Sequence, residues 1–220
     1  MRTRASLLLA GLPLLGVGQV TLGKSGYTIR VKPTVGKKYN FITTAKEIVK
    51  IAGDPQQSIK APVSMRIISR SGDRFRLSYA QGPITMNGKK LEDYKEVDGV
   101  LDTRMTPVSG IATMGPLSGF YPLNPVPLGK SWKAPFDLGR EQKAEVTFTF
   151  VRITTRKGRK VAELKLSVRG AAMATGAAFI RVDDGLPDYT VFEMPVIKIQ
   201  QANGMRKESQ SRMRLEVIRL

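Results

Sequence analysis

Val146-Thr147-Phe148-Thr149-Phe150-Val151-Arg152-Ile153 is built almost wholly from β-branched and aromatic residues, the types that fit a pleated, half-buried surface. It reads as a strand. Beyond Lys157-Gly158, Val161, Leu164, Leu166 and Val168 make a second run of the same kind. Near the end of the chain Arg212-Met213-Arg214-Leu215-Glu216-Val217 alternates polar and apolar residues, the pattern of a half-buried strand. Gly72-Asp73, Asn87-Gly88, Asp98-Gly99 and Lys157-Gly158 sit where tight hairpin turns are needed.

Working outward, the chain repeats itself. Pro33-Thr34-Val35-Gly36-Lys37-Lys38-Tyr39 parallels Pro127-Leu128-Gly129-Lys130-Ser131-Trp132. Gly72-Asp73-Arg74-Phe75 before Leu77-Ser78-Tyr79 parallels Gly158-Arg159-Lys160-Val161 before Leu166-Ser167-Val168. Met86-Asn87-Gly88 parallels Ala174-Thr175-Gly176, and Val97-Asp98-Gly99-Val100 parallels Asp183-Asp184-Gly185-Leu186. Four matches in one order point to an internal duplication. Thr44-Ala45-Lys46-Glu47 has capping-box form, and Gly53 could close a helix behind Ile48, Val49 and Ile51. The duplication sets that stretch beside Thr147 to Ile153 and favours a strand. The expected fold is all-β: antiparallel sheets in two related halves, as a sandwich or partly open barrels, with little helix. The units run over 19–106 and 129–220, joined by a Pro/Gly-rich connection over 107–128. Within it Tyr121 to Pro127 should be extended and packed along the body.

Residues 1–18 read as targeting. Arg2 and Arg4 precede the apolar run Ala5 to Leu15, and Gly16-Val17-Gly18 offers small residues at a cleavage site. That is the order of a secretory signal peptide. Gly11 and Pro13 break the run, which is short for a membrane span. Cleavage after Gly18 is expected, with an uncleaved anchor as the alternative. The location this implies is exported, periplasmic or extracellular, in a bacterial envelope. Absence of cysteine suits an exported protein that does without disulfides.

The chain has 220 residues, 36 Lys+Arg against 18 Asp+Glu, and neither His nor Cys. A His-based triad, a Cys nucleophile and every His or Cys metal site are therefore excluded. Gly18-Gln19-Val20-Thr21-Leu22-Gly23-Lys24-Ser25 matches the phosphate-loop pattern, with Gly18, Gly23, Lys24 and Ser25 in the defining places. That loop needs a helix after it to present N–H groups to phosphate. Tyr27-Thr28-Ile29-Arg30-Val31 is an alternating strand instead, so the match is judged false. Glu92, Asp93, Glu96, Asp98 and Asp102 form one acidic stretch, and Asp183, Asp184 and Asp188 another. Paired carboxylates can serve glycoside hydrolysis or Ca²⁺, but turns and solvated loops use the same residues. Gly115-Pro116-Leu117-Ser118-Gly119 has the wrong spacing for a serine esterase elbow. Lys130 and Ser131 are adjacent and would point to opposite faces of a strand. No catalytic residue, cofactor or metal is assigned.

Basic groups lie at Arg66–Arg76, Arg152–Lys165 and Arg206–Arg219. Aromatic residues are 7% of the chain, thin for the stacking that single-stranded nucleic acid needs. Met105, Met114, Leu117, Phe120 and Tyr121 could line an apolar groove or close an ordinary core, and the core is preferred.

Pro, then Gly129-Lys130-Ser131-Trp132, long strands and an Asp-Gly turn resemble a group of exported bacterial proteins with two β-rich halves. Pro122 to Trp132 carries most of the likeness. The group has no established activity, so the resemblance implies fold and compartment. Its members are often lipoproteins, and this chain lacks the lipid-bearing Cys.

The function expected is a non-enzymatic exported module contacting an anionic polymer or lipid of the envelope, with peripheral membrane contact and not nucleic acid. The alternatives are a carboxylate-based hydrolase of an envelope polymer and a lipid carrier with an internal apolar groove. The residues set no oligomeric state. The intact mass of protein recovered from the exported fraction should begin at Gln19; a mass beginning at Met1 would refute the cleavage.

Overall fold

The computed structural model of the protein describes residues 18–32, 34–48, 57–110, 120–137, 143–170, 173–202 and 205–220. Strands fill most of them, and no helix is present among the described residues. Strands β1 (Gly18–Gly23) and β2 (Gly26–Val31) form a separate hairpin. A first meander holds β3 (Lys38–Glu47), β4 (Ser58–Ser71), β5 (Arg74–Gln81), β6 (Ile84–Met86), β7 (Lys89–Glu92), β8 (Lys95–Asp102) and β9 (Pro107–Ser109). A second holds β10 (Ser131–Asp137), β11 (Lys143–Arg156), β12 (Arg159–Gly170), β13 (Ala174–Arg181), β14 (Pro187–Ala202) and β15 (Met205–Arg219).

All pairings are antiparallel. Together the meanders form one sheet in the order β10-β11-β12-β13-β14-β15-β3-β4-β5-β8-β9, with β6 and β7 off that path. The seam is β15 against β3, from Met213 opposite Glu47 to Arg219 opposite Phe41. The stretch beginning at Thr44 is therefore strand as far as Glu47; the rest of the helix alternative, from Val49, lies outside the described residues. So do residues 1–17, on which the signal reading rests, and Gly115 to Gly119.

Alternation with a period of two decides which face is buried. In β3, Tyr39, Phe41, Thr43, Ala45 and Glu47 point inward while Lys38, Asn40 and Lys46 face solvent. The inward residues of both meanders belong to one cluster, in which Phe41, Phe75 and Leu77 join Phe148, Phe150 and Leu164. The sheet must therefore fold over on itself, a sandwich-like arrangement without barrel closure. Its two apolar faces are bridged by the chain's own inserts. Val20 and Ile29 of the β1–β2 hairpin are buried, and Tyr27 sets its ring edge-on to Phe150 at 4.9 Å. Tyr27 and Val126 exchange backbone hydrogen bonds at 2.9 Å and Tyr121 is buried, so the connection packs along the body as its sequence predicts, but it bends at Tyr121, Leu123 and Asn124 instead of running extended throughout. Phe120 packs edge-on to Phe148 at 4.5 Å, and Trp132 stacks on Phe148 at 5.3 Å while donating from Nε1 to the Phe120 carbonyl at 2.9 Å. Tyr121 is wholly buried and donates its hydroxyl to the Gly185 carbonyl at 2.6 Å. Pairs of this kind add about 0.5–1.5 kcal/mol each beyond the area they bury.

The two meanders share local geometry. Gly36 N donates to Ile67 O at 2.8 Å, and Gly129 N donates to Phe150 O at 2.7 Å. Ile67 N answers to Lys37 O at 3.1 Å, and Phe150 N to Lys130 O at 3.0 Å. Both glycines have left-handed backbone, with φ of 81° and 77°. Each ladder then skips one residue, Ile68 between Ile67 and Ser69, and Val151 between Phe150 and Arg152. Such bulges re-aim a side chain, and both extra residues are exposed.

One expected turn and one repeat match prove to be strand. Asp98-Gly99 lies inside β8, opposite Ser78 and Leu77. The physical reason is close approach: a Cβ on Gly110 would stand 2.4 Å from Asp98 O and 3.0 Å from Gly99 Cα. Thr175-Gly176 lies inside β13, where a Cβ on Gly176 would stand 2.0 Å from Val191 O. These glycines admit a neighbouring backbone rather than turn the chain, so the matches Asn87-Gly88 with Thr175-Gly176 and Asp98-Gly99 with Asp184-Gly185 are not equivalent in space. Gly72-Asp73, Asn87-Gly88 and Lys157-Gly158 are turns as expected.

Trp132 is the sole tryptophan and belongs to the second meander. With one core, its fluorescence and the far-UV circular dichroism should lose their native values at the same urea concentration. Val217→Pro removes a ladder donor from a strand paired on both sides, and should abolish both signals together. Separate transitions in the unmodified protein would refute a shared core.

Candidate functional site

The face of β3, β4, β5 and β8 turned away from the core holds a groove of about 460 Å³. Four strands supply it because every second residue on each points the same way. Lys38 comes from β3, Ser64 and Arg66 from β4, Ser78 from β5, and Glu96 and Asp98 from β8, with Tyr94 at the rim. Lys38 stands directly opposite Arg66 in the β3–β4 ladder. Neither forms an ion pair with a described carboxylate. The groove's own carboxylates are engaged elsewhere. Asp98 pairs with Arg76 at 2.8 Å. Glu96 accepts from Ser78 Oγ at 2.5 Å and from the Tyr94 hydroxyl at 2.6 Å. Those two hydrogen bonds, and then the charge of Lys38, hold the Glu96 carboxyl below its ordinary range. Its stabilising contribution is present above the ordinary carboxyl value and is lost as pH falls through the lowered one. The same bond from Tyr94 to Glu96 raises the tyrosine.

The second acidic stretch does different work. Asp184 is buried and takes both guanidinium nitrogens of Arg219, at 3.1 and 2.8 Å, while accepting from the Leu186 N–H at 2.9 Å. Arg219 also lies over the Tyr39 ring at 5.1 Å. Asp188 pairs with Arg156, whose guanidinium sits 4.4 Å from the Tyr189 ring centre. Asp183 pairs with Arg181; burial pushes its carboxyl up, but the hydrogen bond and charge of Arg181 win and leave it lowered. Each of these carboxylates has an arginine partner, and the cluster ties the β13–β14 turn to the end of β15.

The remaining candidates are scattered. Gly18 to Gly23 form β1, Lys24-Ser25 is the hairpin turn, and β2 follows where a phosphate loop would place a helix. Ser131 Oγ lies 2.8 Å from Thr149 Oγ1, and Lys130 is exposed. Met105, Phe120 and Tyr121 belong to the core as expected; Met114 and Leu117 lie outside the described residues. No group of metal-binding side chains occurs among the described residues. Glu96 and Asp98 were legible as an acidic stretch, but Lys38, Arg66, Ser78 and Tyr94 were not. Alternation alone would place each on a solvent face. What joins them is the register of β3, β4, β5 and β8 against one another.

No protein-family model, curated protein or solved structure matches the chain.

Asp184→Ala would leave Arg219 buried without its partner and should cost about 3–5 kcal/mol. Glu96→Gln, on the open face, should leave the urea midpoint nearly unchanged. Urea midpoints measure both, and equal losses would refute the division between a structural cluster and an open groove.

Proposed function

We propose that this chain is a non-enzymatic exported module that holds an anionic component of the bacterial envelope. The observation that carries this reading is a cation-rich end of the sheet. In an antiparallel meander alternate turns fall at one end, so the β4–β5 turn, the β11–β12 turn and the starts of β3 and β10 lie along the same end of the sheet. Lys37, Arg74, Lys130, Lys157, Arg159 and Lys160 project there, exposed and without a described carboxylate partner. A net charge of +18 reinforces their field.

At about 1 kcal/mol for each cation near an anionic surface, six supply about 6 kcal/mol. That corresponds to a dissociation constant in the tens of micromolar. Such binding needs no cavity and no catalytic group. A hydrolase would want a carboxylic acid kept protonated near neutral pH, whereas Glu96 and Asp183 are both held low. A carrier would want an empty apolar interior, whereas Val20, Ile29, Phe120 and Tyr121 fill that place. On the same reading the two meanders are copies of one β unit, supported by their matching glycine, bulge and hydrogen-bond positions.

Sedimentation with phosphatidylglycerol vesicles tests the proposal. Binding should fall steeply between about 0.05 and about 0.5 M salt as screening shortens from more than 10 Å to a few ångströms. Lys157→Ser, Arg159→Ser and Lys160→Ser together should weaken it about 100-fold. Binding that ignores salt, or equal binding to phosphatidylcholine vesicles, would overturn the reading.

A further inference from the structure

We infer that the groove bounded by Lys38, Arg66, Glu96 and Tyr94 is a discrete site for a carboxylated sugar, one per chain. The inference rests on the envelope-binding reading and gives it a ligand class.

The argument begins with an unfavourable pair. Cations directly opposite on neighbouring strands repel, yet the β3–β4 ladder sets Lys38 against Arg66. The second meander is an internal control. Its β10–β11 ladder sets Ser131 against Thr149 at the matching station, two residues after the left-handed glycine in both cases. There the two hydroxyl oxygens are 2.8 Å apart and satisfy one another. The backbone at this station therefore accepts a neutral, self-satisfied pair. The first meander places two cations there instead, neither in an ion pair with a described carboxylate although the charge of Lys38 reaches Glu96, over a groove whose volume of about 460 Å³ is in the range of small-ligand sites.

The surrounding groups narrow the ligand. Arg66 offers a planar fork that matches a carboxylate, and Lys38 adds a second charge. Across the groove the Glu96 carboxylate accepts hydrogen bonds, so it favours a ligand with hydroxyls opposite its acid group. That same negative charge opposes a doubly charged phosphate. Tyr94 is 55% exposed at the rim, with a ring face free to take the C–H face of a pyranose. Ile68, pushed outward by the bulge, gives the floor one apolar contact. One carboxylate, several hydroxyls and an apolar ring face together describe a uronic-acid-type sugar.

Titration calorimetry with digalacturonate, in about 0.15 M salt, tests this. The unmodified protein should bind one digalacturonate per chain and should not bind the neutral galactose disaccharide. Lys38→Ser with Arg66→Thr copies the second meander, so it should fold with an unchanged or higher urea midpoint and lose at least tenfold in affinity. Arg66→Gln alone, at an exposed position, gives the same test should the double variant fail to fold. The variant lacking Lys157, Arg159 and Lys160 should keep digalacturonate binding while losing vesicle binding. No binding by the unmodified protein, binding unchanged in Lys38→Ser/Arg66→Thr, or inorganic phosphate bound as tightly as digalacturonate would each overturn the sugar site. None of those results touches the vesicle assay, which judges the envelope reading separately.

Discussion

The β3–β15 ladder makes the two meanders one sheet. Phe41 and Arg219 stand opposite one another although nearly the whole chain lies between them. Closing so large a loop is entropically costly, and it is held by more than ladder bonds. Ile48 N donates to Arg212 O at 2.9 Å beyond one end of the seam, and Leu220 N to Asn40 O at 3.0 Å beyond the other. Arg219 couples the seam to Asp184 and to the Tyr39 ring. The pairing brings the inner faces of both meanders, with Phe41 on one and Phe148 on the other, to one interior. The β1–β2 hairpin and the segment at Phe120 and Tyr121 then have a surface to fill.

Two meanders that share local backbone geometry under one core carry different residues on their outer faces. The inward stations of both meanders are mostly apolar, and a change there is felt by packing. The outward stations are freer to vary. At the station after Gly36 and Gly129 the two meanders differ, one with Lys38 and Arg66, the other with Ser131 and Thr149. The buried arginine–carboxylate cluster lies at the opposite extreme. Asp184, Asp188 and their arginines serve the joint between β13, β14 and β15, and their charges are spent inside the protein.

The legible part of the fold was its local part. Val146 to Ile153, Val161 to Val168 and Arg212 to Val217 are strands because β-branched side chains and strict alternation act over a few residues. Gly36 and Gly129 were found as a repeated pair, and both have the left-handed backbone that favours glycine. The turn expected at Asp98-Gly99, and the match of Asn87-Gly88 to Thr175-Gly176, fail for a related reason. Glycine marks either a turn or a close approach of another backbone, and sequence spacing does not separate the two. The equivalence missed from the residues is Met105 with Gly185, which have φ of 68° and 65° at the matching turns. Methionine in that conformation leaves no signature in a string of letters.

The amino-acid sequence by itself determined an all-β chain, its strand runs, its repeated Gly-Lys starts and its excess of positive charge. All of these are properties of neighbouring residues or of composition. The tertiary structure alone decided that β15 closes on β3, that Lys38 faces Arg66, and that Glu96 and Asp98 line a groove while Asp184 and Asp188 are buried against arginines. Those are matters of register between strands far apart in the chain. Register follows from which apolar faces can be buried together, and that is settled only when the whole core is packed.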